Sequence, residues 1–344
     1  MSIQIVCGFA ALLALGAGDS GQLDNEASTL GSVEETTIYP AIARSIAETM
    51  RAHHYNPTEL ETSAYRAIEQ AIADLAETVD SDDALLSGFS EIWQDGPFSH
   101  VTLNKARGTA DELAAYLDGM EVGGGGAVLS WQDDAAVLTV NTMMGTDTIE
   151  EISAAYQAIA ARGADKLIID LRANEGGAFA VRPLVGHLMQ QPYTAGGFVS
   201  QPWNSANDKP PTLEDMQSVA PWSGWSVRRF WADAQAQPLT VVQFEPIEPV
   251  FDGLVYVLTS ERTASAAELA ADALKGSGRA TIIGEQTAGQ MLSQKIYDVE
   301  GGFHLSLPIA DYFSAVHGRI EGTGVEPDIE ARAEDAMDIS LRHH

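Results

Sequence analysis

The chain has 344 residues, enough to bury a sizeable core, and its mix of helix formers and short apolar runs points to an α/β protein. Its 49 Asp and Glu outnumber 19 Lys and Arg for a formal charge of -30, which disfavours nucleic acid or an anionic membrane surface as a partner. The single cysteine, Cys7, excludes an intrachain disulfide framework and a multi-cysteine metal site.

Residues 1–18 are apolar and rich in small side chains, then turn polar at Asp19. They read as a signal peptide for export to a periplasm or the exterior, with a buried N-terminal helix as the other reading, since no Lys or Arg precedes Arg44. After export no membrane span is expected. Residues 19–35 are polar and acidic and read as a linker. Ile38, Ile42, Ile46 and Met50 fall at spacing four. Tyr65, Ile68, Ile72 and Leu75 repeat the helical stripe, and Leu85 to Trp93 supply a third helix. An N-terminal helical bundle with a connecting helix is therefore expected over 36–122. His53 and His54, closing the first stripe, read as surface residues at a helix C-terminus. Asp95-Gly96-Pro97 announces a turn, which puts Ser99 and His100 on a loop or at the start of an extended run.

Gly123 to Gly126 reads as a flexible joint and the boundary to a second unit over 127–335. There Ala135–Val140, a helix over 149–161 and Lys166–Leu171 make a strand, helix, strand unit with parallel strands. The second strand runs into Asn174-Glu175-Gly176-Gly177. Paired glycines there suit either a tight turn or a backbone nest that lets N–H groups approach a ligand. Residues 196–250 look irregular, with many prolines and Trp203, Trp222, Trp225 and Trp231, and read as an insertion that contacts substrate or covers a sheet edge. The apolar run Leu254 to Leu258 reads as a buried strand. The alanine-rich stretch from Ser265 reads as a helix, so Ser265 either caps that helix or stands as a nucleophile in the positive field of its N-terminus. Residues 336–344, ending in His343 and His344, read as a tail.

Four separated segments occur in order: Asp170-Leu171-Arg172-x-Asn174-x-Gly176-Gly177; Thr259-Ser260 through Thr263-Ala264-Ser265-Ala266-Ala267-Glu268; Gly284-Glu285-x-Thr287-x-Gly289; and Gly322-x-Gly324-Val325-x-Pro327-Asp328. Together they resemble the tail-specific or C-terminal-processing serine peptidase family, which includes the tricorn core and the modules of interphotoreceptor retinoid-binding protein. The resemblance implies a core like that of ClpP and crotonase, a twisted sheet flanked by helices. It also implies Ser265 as nucleophile, oxyanion donors at Ala266 and at Gly176 or Gly177, and a peptide or protein substrate with no metal or cofactor. Where the C-terminal-processing branch carries a catalytic lysine after Thr-x-Gly, this chain has Gln290, which cannot take a proton. The tricorn-like branch instead implies His100 as general base, with Ser99 orienting the imidazole and Glu321 anchoring Ser99. Many relatives carry a PDZ domain between bundle and core, whereas only about two dozen residues separate His100 from the glycine run, too few for an independent domain there. Recognition would then fall to the Trp-rich segment. The rival readings are a noncatalytic binding module for a lipid or other apolar ligand, and a crotonase-like acyl-CoA enzyme.

Overall fold

The structure, a computed structural model, describes residues 38–343. The expected signal peptide and linker, with Cys7, lie outside the described residues, as does His344. Helices Tyr39–His53, Ser63–Ala76 and Asp82–Trp93 form the N-terminal bundle. Each presents one apolar stripe inward, burying Ile42, Ile46 and Met50 from the first, Tyr65 and Ile72 from the second, and Leu85, Phe89 and Trp93 from the third.

Among the described residues, twelve strands make two sheets. The strands of one are β2 (Ala127–Gln132), β3 (Ala135–Val140), β4 (Lys166–Asp170), β7 (Leu254–Thr259), β8 (Thr281–Gly284) and β12 (Ile329–Glu330), in the order β12-β8-β7-β4-β3-β2. All its pairings are parallel except the β2–β3 hairpin. The other sheet runs β1 (Thr102–Lys105), β10 (Phe303–Ser314), β5 (Tyr193–Ser200), β6 (Leu239–Phe244), with β9 (Ser293–Val299) and β11 (Gly318–Arg319) also on β10. Helix Ala266–Gly276 packs against β5 of one sheet and β8 of the other. Every residue from Ala266 to Leu274 is buried, which explains why five of those nine are alanine: small side chains let two sheets close on one helix. At such positions each added methylene would be felt as overpacking.

Several expectations are overturned here. Residues 196–250 are not an irregular insertion: Gly196–Ser200 belongs to β5, an inner strand of the second sheet between β10 and β6, and Leu239–Phe244 is β6, the strand that ends that sheet beside β5. Glycines and prolines hid the strand signal, and helices Gln201–Ala206, Leu213–Gln217 and Val227–Ala236 lie between the two strands. The glycine run is not a loose joint. Val122, Gly123 and Gly124 donate their N–H groups to Asp147, and Gly125 and Ala127 donate theirs to Glu151, so two carboxylates of helix Thr146–Arg162 pin it. His54 is fully buried, not on the surface. The chain turns extended there, its ring packs on Tyr55 and Phe98, and Nδ1 meets the Asn56 backbone at 3.0 Å. The expected tail forms helix Ala336–Arg342, seated on β7 and β8 with Ala336 and Ser340 buried; Lys166 Nζ caps it through the carbonyls of Ser340, Leu341 and His343. Among the described residues no helix is long and apolar enough to cross a membrane.

Candidate active site

Ser265 sits between the end of β7 and the first turn of helix Ala266–Gly276, with φ 56° and ψ -121°. An L residue rarely adopts this conformation, which costs roughly 1–3 kcal/mol and persists only where surroundings enforce it. The enforcing bonds are visible. Ser260 N–H donates to Thr263 Oγ1 at 3.0 Å, Thr263 Oγ1 donates to the Leu171 carbonyl at 2.9 Å, and Ala264 N–H reaches the Asn174 carbonyl at 3.1 Å. Glu268, wholly buried one turn into the helix, accepts from Ser265 N–H (2.9 Å), Gly289 N–H (2.7 Å), Gln290 N–H (2.9 Å) and the Thr287 hydroxyl (2.6 Å). Burial pushes its carboxyl up, and those four donors pull it back. Glu268 thus ties the elbow to the Thr287–Gln290 loop.

The second wall comes from the turn after β4. Asn174, also fully buried, donates from Nδ2 to the Val140 carbonyl at 2.9 Å and accepts from Gly176 N–H at 2.8 Å. The Gly176 N–H is therefore already engaged, and of the expected oxyanion donors Gly176 is set aside. Gly177 N–H and Ala266 N–H are used by none of the hydrogen bonds among the described residues. Gly176 matters through its lack of a side chain: a Cβ there would stand 2.6 Å from Ser265 Cβ and 2.8 Å from the Ala264 carbonyl, and its φ is +96°.

Ser99 and His100 come from the loop before β1, and Glu321 from the turn that follows the β10–β11 hairpin, 222 residues from Ser99 in sequence. Ser99 Oγ lies 2.7 Å from Glu321 Oε1 and 2.6 Å from His100 Nδ1. Glu321 Oε2 accepts the N–H groups of Met291 (2.5 Å) and Leu292 (3.0 Å). The hydroxyl proton goes to the carboxylate, so Ser99 Oγ accepts from Nδ1–H, and the neutral imidazole carries its basic lone pair on Nε2. Burial holds His100 below the ordinary histidine value, opposed by the pull of the Glu321 carboxylate. His100 itself stands at φ 65°, a second strained residue at this place.

A cavity of about 350 Å³ joins these parts: His100, Ser265, Ala266, Gly176 and Gly177 line it together. Its far wall is aromatic, from Phe179, Phe198, Trp222, Trp225, Phe230 and Trp231. The Trp222 and Trp231 indole N–H groups are drawn away to Asp233 Oδ2 (3.0 Å) and the Gln294 carbonyl (2.9 Å), which leaves apolar faces toward the cavity. Trp203 does not line it. Its indole N–H donates to the Lys209 carbonyl, and its ring packs beside Val199, Met216 and Leu239, so of the expected substrate contacts Trp203 is set aside. Neither Lys275, bound to the Glu326 carbonyl at 2.6 Å, nor Lys295, bound to Gln235 Oε1 at 2.6 Å, borders the cavity. Sequence reasoning assigned no role to Glu268 and Asn174, although both lie within the quoted segments; a buried carboxylate and amide in strand-to-helix turns were the available signal.

A strained serine at a strand-to-helix elbow, two N–H groups beside it and a histidine with a fixed tautomer on one cavity constitute the equipment of a serine hydrolase. The family model described as Peptidase family S41 matches residues 134–331, and the chain belongs to that family. Among curated proteins it is similar to a carboxyl-terminal-processing protease of Picosynechococcus sp., 33% identical over 113 residues that cover 31% of this chain and 27% of that protein. Similar too are the chloroplastic carboxyl-terminal-processing peptidase 1 of Arabidopsis thaliana (36% identical, 28% and 19% covered) and a carboxyl-terminal-processing protease of Synechocystis sp. (26% identical, 54% and 36% covered). The chain thus spans between 19% and 36% of the length of these relatives. Solved structures share the fold across most of both chains. A putative peptidase from Parabacteroides merdae gives a TM-score of 0.58 at 14% identity, covering 86% and 92%; the photosystem II D1 C-terminal processing protease gives 0.54 at 13%, covering 87% and 94%.

Proposed function

We infer that the chain is a serine peptidase in which Ser265 attacks a peptide carbonyl, and His100 Nε2 takes its proton and returns it to the leaving amine. The oxyanion is received by the N–H groups of Ala266 and Gly177, and Ser99 and Glu321 hold the imidazole in place. Water then attacks the acyl-enzyme with His100 again as base. The observation that carries this reading is the hydrogen-bond chain from Glu321 through Ser99 to His100, ending on the cavity that Ser265 lines. With Gln290 in the lysine position, the arrangement is that of a histidine-dependent rather than a lysine-dependent peptidase.

The substrate is a peptide or unfolded protein. The aromatic wall of Trp222, Trp225 and Trp231 suits a bulky apolar side chain next to the cleaved bond. The names of the curated relatives favour cleavage near a substrate's C-terminus. The apolar first 18 residues favour export, which N-terminal sequencing of the mature protein would test. For the chemistry, a fluorophosphonate probe should label the protein at Ser265, and Ser265→Ala should abolish both labelling and peptide cleavage. His100→Ala should lower kcat by roughly a thousandfold or more, while Lys275→Met and Lys295→Met keep it. Labelling that survives in Ser265→Ala, or activity lost with a lysine alone, would reject the assignment.

A further inference from the structure

Glu321 is held at more than the backbone of Met291 and Leu292. Two residues earlier, Arg319 donates from Nε to Asp311 Oδ2 at 2.6 Å and from a terminal nitrogen to the Tyr55 hydroxyl at 3.3 Å. That hydroxyl in turn donates to Glu59 Oε1 at 2.8 Å. Tyr55 and Asp311 are buried, and one oxygen each of Glu59 and Asp311 is buried with no hydrogen-bond partner. His54 Nε2 lies 3.8 Å from the free Glu59 oxygen, and its ring packs on Phe98, the residue before Ser99. A closed polar set therefore runs behind the catalytic loop, joining the helical bundle at Tyr55 to the hairpin at Arg319.

The charges in this set are unequal. Burial pushes the Asp311 carboxyl up to about 7 and raises that of Glu59, and the nearby Glu321 adds to both rises. Burial moves His54 the other way, down to about 4, so near neutral pH it adds no positive charge. As Asp311 and Glu59 take up protons toward neutral and acid pH, Arg319 keeps its charge two residues before Glu321, whose carboxylate is among the charges that act on its guanidinium.

On the reading of Ser265 and His100 given above, we propose that Arg319 is a positioning residue for the Ser99–Glu321 pair. It anchors the hairpin preceding Glu321 to Tyr55 of the bundle, and it balances the Glu321 charge so that His100 works as a neutral base. Without that charge, the unbalanced carboxylate favours the imidazolium, and His100 loses its base form at higher pH.

The test is the pH dependence of kcat/KM on a fluorogenic peptide, read beside fluorophosphonate labelling, for the wild type, Arg319→Met and Arg319→Lys. Arg319→Met should still label at alkaline pH while its acid limb moves up by roughly half to one pH unit, the effect of a unit charge several ångströms away in a medium between protein and water. Arg319→Lys should bring the limb back toward the wild-type position. Tyr55→Phe removes only the hydroxyl; it should lower kcat more than it changes KM, and remains informative if Arg319→Met does not fold. An unmoved acid limb in Arg319→Met, or an equal loss at every pH that lysine does not rescue, would overturn the role given to Arg319. An unchanged kcat in Tyr55→Phe would do the same. A wild-type protein that never labels at Ser265 would instead overturn the peptidase reading beneath it.

Discussion

At the scale of single residues, the site depends on groups held in conformations they would not choose. Ser265 and His100 both stand at positive φ, and their neighbours supply the bonds that keep them there. Gly176 is the sharpest case. Its N–H is committed to Asn174, so its service to the site is to be small beside Ser265. Gly176→Ala should therefore lower kcat by roughly a hundredfold or more, the scale seen when oxyanion geometry is lost. Its Cβ would force Ser265 or the Ala264 carbonyl away, and steady-state kinetics beside a thermal melt would separate the catalytic loss from any fall in stability. The need for a small residue at this turn was visible in the sequence as Gly176-Gly177. Which of the two N–H groups remains for a ligand was not, because that depends on Asn174 bending back to accept one of them.

At the scale of elements, the bundle contributes more than a cover. The end of helix Tyr39–His53 delivers His54 into the interior, where burial holds it neutral and lowers its value to about 4. The unfolded chain takes up this proton near the ordinary histidine value, and the folded chain does so only near 4. The stability that the neutral ring confers is thus fully present above the unfolded value and is lost as pH falls through that window, by up to ~3 kcal/mol. Urea denaturation between pH 7 and pH 4 should show this loss, and His54→Gln should flatten it. If the mutant and the wild type lose stability in parallel, His54 is not its source. The element pattern itself was largely legible: the helical stripes, the parallel strands and the turn into helix Ala266–Gly276 all lie where apolar periodicity put them. β5 was missed because Gly196 and Gly197 interrupt its strand signal, which only pairing with β10 and β6 restores; β6 is an unbroken run, Leu239 to Phe244, that was overlooked between Pro238 and Pro246 in a stretch read as irregular.

At the scale of the whole molecule, the charge of -30 accompanies a site whose two strongest anchors, Glu268 and Glu321, are also acidic. Self-repulsion and substrate steering then both depend on salt. Peptides flanked by lysines should lose kcat/KM between about 20 mM and 300 mM salt, and acidic peptides of the same core should gain, each by up to about tenfold. Initial rates on matched peptides would show it, and equal responses would exclude long-range steering. The sequence by itself determined the serine at a strand-to-helix elbow and the glycine-paired turn beside it, because each is a local matter of spacing, propensity and side-chain chemistry; that Gln290 stands where a lysine would serve as base is what the resemblance to the family added. The resemblance implied that Glu321 anchors Ser99, and the folded chain brings the two within 2.7 Å across 222 residues; only the tertiary structure decided that Trp222 rather than Trp203 faces the cavity and that Arg319 stands between bundle and hairpin. Those pairings follow from how two sheets close on one helix, and no local pattern in the chain encodes which distant surfaces that closure brings together.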